Sequence, residues 1–150
     1  MVKKPRILII DDDENIRKTL AAILEEEGYL VDHAENCQQA LEKTAKSFYN
    51  VLLIDMRLPD MEGIDLIPKI RDTVPKMRKI IVTGYPTLQN AIEAVNRGAD
   101  AYIVKPFDVD KVLAVIKEQL RKQQEELKFS QERVTEFIAA RLKELEAAKP

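Results

Sequence analysis

The sequence predicts an α/β fold: a doubly wound, five-stranded parallel sheet with helices on both faces, extended at its C-terminus by a long helix. Three observations predict it. Short apolar runs alternate five times with stretches of helical periodicity, the pattern of parallel strands joined by crossover helices. The first, third and fourth of these runs have wholly apolar centres, as strands buried on both faces do, so they belong in the middle of the sheet. From Asp108 onward the chain has no glycine and no proline before Pro150, and Ala, Leu, Glu, Lys, Gln and Arg dominate, which favours helix.

The first strand is Ile7-Leu8-Ile9-Ile10, ending in Asp11-Asp12-Asp13. A helix follows with Ile16, Leu20, Ile23 and Leu24 at helical spacing, Asp13 or Asn15 as its cap and Gly28 at its close. Tyr29-Leu30-Val31 begins a second strand that decays into Asp32-His33-Ala34. Asn36 caps the next helix with Gln39 at the capping-box position, and Ala40, Leu41 and Ala45 form its inner stripe. The central strand Val51-Leu52-Leu53-Ile54 runs into Asp55, then into a turn with Pro59, Asp60 and Gly63. Ile64, Leu66, Ile67 and Ile70 support a third helix, with Pro68 placed near its first turn, where a missing N–H costs least. Strand four is Lys79-Ile80-Ile81-Val82-Thr83, followed by the turn Gly84-Tyr85-Pro86. A fourth helix from about Leu88 to Arg97 carries Ala91, Ile92 and Val95 inward and stops at Gly98. Strand five, Ala101-Tyr102-Ile103-Val104, ends in Lys105-Pro106, and Asp108 caps the final helix. A boundary near Arg121 gives a domain at 1–121 and a helical extension or linker at 122–150.

Composition narrows the function classes. At 150 residues and 45% hydrophobic, the chain has room for one cored domain and an appendage. A third of the residues are charged, yet the net charge is only −2, so no nucleic-acid footprint is visible. No apolar stretch approaches a membrane span, and the N-terminal apolar run is too short for a signal peptide. The single cysteine, Cys37, excludes an intrachain disulfide and a cysteine-based metal site. A cytoplasmic protein is the expectation.

In an open α/β sheet, chemistry gathers at the carboxyl ends of the strands. Those ends carry Asp11, Asp12, Asp55, Thr83 and Lys105. Asp55 alone could be a carboxylate facing water, but the set fits one reaction. Carboxylates about 5 Å apart repel by roughly 3 kcal/mol per pair at an effective dielectric of about 20, so a cation is expected. Oxygen ligands without clustered His or Cys point to Mg2+. Lys105 offers a mobile positive charge and Thr83 a hydroxyl to phosphoryl oxygens. Asp55 is then a carboxylate nucleophile that forms an aspartyl-phosphate.

These motifs, Ile-Leu-Ile-Ile-Asp11-Asp12-Asp13, Leu-Leu-Ile-Asp55-Met-Arg-Leu-Pro59-Asp-Met-Glu-Gly63, Ile-Ile-Val-Thr83-Gly84 and Tyr102-Ile-Val-Lys105-Pro106-Phe107, resemble the response-regulator receiver domains of two-component signalling. The resemblance covers roughly residues 4–121 and implies a CheY-like (flavodoxin-like) fold. By position it implies Asp55 as phospho-acceptor and Asp11 and Asp12 as metal-binding acids, with the main-chain carbonyl of Arg57 as a further ligand. It implies that Thr83 moves toward the phosphoryl group, that Tyr102 is the aromatic switch, and that a cis peptide joins Lys105 to Pro106. It further implies a histidine kinase or phosphotransfer protein as phosphate donor.

Two other readings stand beside the receiver: a phosphorylation-independent pseudo-receiver, and a Mg2+-dependent phosphatase with an aspartate nucleophile. The phosphatases carry a general-acid Asp two residues after the nucleophile, where this chain has Arg57. The receiver is a phosphotransfer signalling domain that acts only on itself, not an enzyme with a separate substrate. Asp13 reads as a helix cap, His33 as a surface residue and Cys37 as a passive, semi-buried thiol. The sequence names neither the output domain or target nor the cognate kinase, and direct nucleic-acid or membrane binding is not expected. Along the final helix, Leu113, Ile116, Leu120, Leu127, Val134 and Phe137 fit heptad a and d positions, but Gln123 and Ser130 interrupt the seam. A coiled coil and a helix broken near Phe129 and Ser130 remain alternatives. Either way the apolar residues after Arg121 predict self-association, for example as a homodimer.

Overall fold

A computed structural model describes residues 3–148; Lys149 and Pro150, the last residues of the expected extension, lie outside it. Its elements are β1 (Arg6–Ile10), α1 (Glu14–Glu26), β2 (Leu30–Ala34), α2 (Cys37–Lys46), β3 (Val51–Asp55), α3 (Gly63–Leu66) with a 3-10 turn (Ile67–Lys69), β4 (Arg78–Thr83), α4 (Leu88–Asn96), β5 (Ala101–Val104) and α5 (Val109–Ala147). All strand pairings are parallel, in the order β2-β1-β3-β4-β5. The three apolar runs therefore hold the centre, as expected.

Alternate residues of each central strand feed two cores. Ile7, Ile9, Val51, Leu53, Ile80 and Val82 pack with α1 and α5. Leu8, Ile10, Leu52, Ile54 and Ile81 pack with α2, α3 and α4 on the other face. Both faces being covered is what makes the strands read as unbroken apolar runs. Asp13 caps α1 by accepting from the Asn15 and Ile16 N–H groups, and Gly28, at φ +93°, supplies the left-handed residue that follows the helix.

Several local expectations are corrected. β2 runs through Asp32 and His33 instead of decaying, because it is an edge strand whose backbone pairs with β1 from Arg6↔Leu30 to Ile10↔Ala34 and whose polar side chains need no deep burial. The inner stripe of α2 is Cys37, Ala40 and Thr44, with Ala45 exposed. Thr44 can sit inward because its hydroxyl donates to the Ala40 carbonyl at 2.8 Å. The Gln39 side chain accepts from the Glu35 N–H, one residue before the cap, while Asn36 accepts from the Gln39 N–H.

The third helix is one short turn. Pro68 has no N–H to continue the ladder, the backbone tightens into the 3-10 turn, and Ile70 is already extended at ψ 132°. In α4 the inward residue is Ala94, with Ala91 half-buried, whereas Leu88, Ile92 and Val95 face outward. His33 is half-buried, not a surface residue, and its Nδ1 is enclosed with no hydrogen-bond partner among the described residues. Cys37 is wholly buried. α5 passes through Phe129 and Ser130 without a break, which removes the broken-helix alternative.

Candidate functional site

Three strand ends build the site. β1 delivers Asp11 and Asp12 just past Ile10, β3 ends on Asp55, and β5 is followed by Lys105. Carboxylate oxygens of Asp11, Asp12 and Asp55 all lie within 4.8 Å of one another. Asp11 is buried, Asp55 partly so and Asp12 exposed, which leaves the cluster open on one side. The Lys105 ammonium stands 3.4 Å from Asp11 and 3.5 Å from Asp55.

Burial pushes the Asp55 carboxyl above its ordinary range, and the Asp11 charge adds to this against the pull of Lys105. One ammonium thus leaves the cluster under-neutralised. An oxygen-only donor set of this size suits a hard divalent cation that keeps water or a phosphate oxygen among its ligands.

The surrounding backbone fixes these groups. Asp55 pairs with Val82 in the β3–β4 ladder, and the Met56 N–H donates to the Val82 carbonyl at 2.9 Å. Thr83 is therefore the next residue on the neighbouring strand; it is buried, its Oγ1 accepts from the Tyr85 N–H at 3.0 Å, and its carbonyl accepts from the Lys105 N–H at 2.7 Å. The Lys105–Pro106 peptide is cis. Gly63 is required by close approach: a Cβ there would stand 2.1 Å from the Asp55 carbonyl oxygen.

Of the other expected residues, Arg57 follows β3 by two positions and Tyr102 lies on β5. The Arg57 guanidinium stacks on the Tyr85 ring at 4.4 Å, and the Arg57 backbone bridges to Glu62. Tyr102 is half-buried against the α2, α3 and α4 core, paired with Ile81, and its enclosed hydroxyl has no partner among the described residues. Asp13, read as a cap, does cap α1, and its N–H donates to Asp11 Oδ1 at 2.9 Å. Burial, then Asp60, pushes the Cys37 thiol up to about 12, so it stays protonated at neutral pH.

The sequence reading overlooked two supporting residues. Arg17 is buried, donates to the Asp11 carbonyl at 2.7 Å and pairs with Glu35, so it fixes the backbone of the acidic corner. The signal was an arginine inside the stripe Arg17, Leu20, Ala21, Leu24. Asp60 accepts from the Cys37 and Gln38 N–H groups at 2.9 and 3.0 Å, tying the loop after Asp55 to the start of α2. No local pattern announces a cap 23 residues away.

Comparison with known proteins gives a consistent picture. The family model of the response regulator receiver domain matches residues 7–117. A receiver domain protein (CheY-like) from Methanospirillum hungatei JF-1 superposes with a TM-score of 0.78 at 45% identity, covering 83% of this chain and 99% of that one. A response regulator from Burkholderia pseudomallei, solved with a phosphorylated aspartic acid, calcium ion and citrate, aligns at 34% identity with a TM-score of 0.71, covering 82% and 72%. The transcriptional regulatory protein ZraR of Klebsiella oxytoca is 36% identical over 89% of this chain. The chain spans 29% of ZraR and between 24% and 53% of the other curated relatives.

Proposed function

The chain belongs to the response regulator receiver family of two-component signalling, and on that premise we propose that Asp55 is its phospho-acceptor. The observation that carries this is the meeting of Asp11, Asp12, Asp55 and Lys105 at one corner of the sheet. A carboxylate oxygen of Asp55 attacks the phosphorus of a kinase or phosphotransfer-protein phosphohistidine. The new O–P bond forms as the N–P bond breaks, and the departing imidazole takes up a proton.

Lys105 follows the charge from the carboxylates to the phosphoryl group, and the Thr83 hydroxyl donates to another of its oxygens. Asp11 and Asp12, with Asp55 and the Arg57 carbonyl, are the residues to hold Mg2+. When bound, that ion neutralises the cluster and polarises a phosphoryl oxygen. The Burkholderia pseudomallei relative, with its phosphorylated aspartic acid and calcium ion, supports the same assignment of acid and cation.

In this reading Thr83 and Tyr102 carry the conformational switch. The receiver unit spans 1–121, and the extension at 122–150 links it to self-association or to an output domain or protein. Histidine kinase recognition follows from family membership, while the identity of the kinase and the target belongs to the whole protein. Among the described residues no helix is long and apolar enough to cross a membrane, and the proposed place of action is the cytoplasm.

Incubation with acetyl phosphate tests the reading. The account expects one phosphoryl group per chain, dependent on Mg2+ and lost with EDTA. Sustained turnover of the donor without a protein-bound phosphate would identify a phosphatase, and no reaction at all would identify a pseudo-receiver.

A further inference from the structure

The loop that follows Asp55 is held at its base and at its tip. At the base the Gly63 N–H donates to the Met56 carbonyl at 2.7 Å, and the Arg57 backbone bridges antiparallel to Glu62. Leu58 and Met61, partly buried, pack against the core. At the tip the two carboxylate oxygens of Asp60 accept separately from the first turn of α2. Oδ1 takes the Cys37 N–H at 2.9 Å and Oδ2 the Gln38 N–H at 3.0 Å. The Cys37 thiol adds a weak bond to the Met61 carbonyl at 3.9 Å.

The first turn of a helix leaves N–H groups with no partner inside the helix. In α2 the side chain of the cap, Asn36, accepts from Gln39, and the Asn36 carbonyl takes the Ala40 N–H at 3.2 Å. The Cys37 and Gln38 N–H groups are left to Asp60, whose negative charge also suits a helix N-terminus. The contact is thus a two-point clamp between the helix and the loop.

The clamped loop is the one that reaches the acceptor. Asp60 itself lies outside the cluster of Asp11, Asp12 and Asp55, so it does not hold a cation directly. Arg57, three positions earlier, does face the site. Burial and then the Asp11 charge raise the Asp55 carboxyl, and after Lys105 the Arg57 N–H is the next group that lowers it. Mg2+ demands near-ideal octahedral geometry, so a carbonyl on a loop serves it only as well as the loop is fixed.

We propose that Asp60 is a positioning residue for the cation site: by clamping the loop to α2 it holds the Arg57 carbonyl where Mg2+ can use it. This rests on the reading that Asp11, Asp12, Asp55 and the Arg57 carbonyl hold Mg2+, and adds the residue that tunes their affinity. By the same clamp, cation binding is felt at the first turn of α2.

Titration of the metal-free 150-residue chain with Mg2+, followed by amide NMR, tests the clamp. In the wild type the Cys37 and Gln38 amide signals should move in step with those around Asp55. Asp60→Ala should weaken Mg2+ binding about tenfold, the order lost with an outer partner of a metal site, and the two amides should no longer follow the titration. Asp60→Asn keeps one accepting oxygen and should recover part of the affinity. Asn36→Ala is the control: it removes the side-chain cap of α2 while leaving the clamp, and should bind Mg2+ as the wild type does. Wild-type affinity in Asp60→Ala would overturn the clamp and leave the cation site standing. Equal weakening in Asn36→Ala would overturn it too, since any loosening of α2 would then suffice. A wild-type chain that binds no Mg2+ at millimolar concentration would overturn the cation reading and the clamp with it.

Discussion

Burial and the neighbouring Asp11 charge raise the Asp55 carboxyl, with Lys105 pulling the other way. The folded state thus holds the Asp55 proton more tightly than the unfolded chain. Stability from this group is present at low pH and is lost as pH rises through the Asp55 folded value. Asp55→Asn removes the charge and should stabilise the metal-free protein at neutral pH by about 1 kcal/mol, on the scale of a partly compensated charge pair. The gain should vanish below the ordinary carboxylate range. Thermal melts in EDTA at several pH values measure it, and a less stable Asn variant at neutral pH would contradict this electrostatic picture. Arg57 and Tyr85 follow Asp55 and Thr83 by two residues each. Their stack, 4.4 Å from guanidinium carbon to ring centre, is proposed to shield an Asp55 phosphoryl group from water. Arg57→Ala and Tyr85→Ala should each speed loss of the phosphoryl group severalfold, followed as decay of the phospho-protein. Unchanged or slower decay in both would remove the shield from the account.

β4 and β5 carry the two proposed switch residues, Thr83 and Tyr102, on neighbouring strands. Thr83 pairs with Val104 and Ile81 with Tyr102, and the Thr83 hydroxyl is engaged by the Tyr85 N–H. In the proposed switch, drawing that hydroxyl toward a phosphoryl group would break the bond and free space for the half-buried Tyr102 ring, a local two-state element biased by the new contact. NMR signals of Tyr102 should shift with BeF3− in the wild type and lose most of that shift in Thr83→Ala; an equal shift in both would route the coupling elsewhere. The elements themselves were legible to different depths. The apolar runs that end on Asp11, Asp55 and Thr83 gave the strands and their centre, because burial on both faces leaves a continuous signal. In α4 two stripes compete, and periodicity alone did not tell that Ala94 turns inward while Leu88, Ile92 and Val95 turn outward. In α3 the helical spacing of Ile64, Ile67 and Ile70 concealed the stop at Pro68. Arg17 and Asp60 were missed because their value lies in backbone partners that only the folded chain brings near.

As a whole molecule, the protein is a two-faced sheet bolted to a rod. Gln123 is the bolt, joining α5 to the loops after Tyr49 and Pro75 through three hydrogen bonds. Gln123→Ala strands the Asn50 amide and the two carbonyls at a buried junction and should cost about 2 kcal/mol in a denaturant melt. A change within about 0.5 kcal/mol would mean that the apolar contacts of α5 hold the rod unaided. The rod starts one short loop after Lys105. The role proposed for this arrangement is phosphate capture at Asp55. Borohydride reduction of the protein after reaction with acetyl phosphate and Mg2+ converts an aspartyl-phosphate to homoserine, which peptide mass spectrometry can place. The account predicts homoserine at position 55 alone and none in Asp55→Asn; homoserine at Asp11 or Asp12, or label that persists in Asp55→Asn, would contradict it.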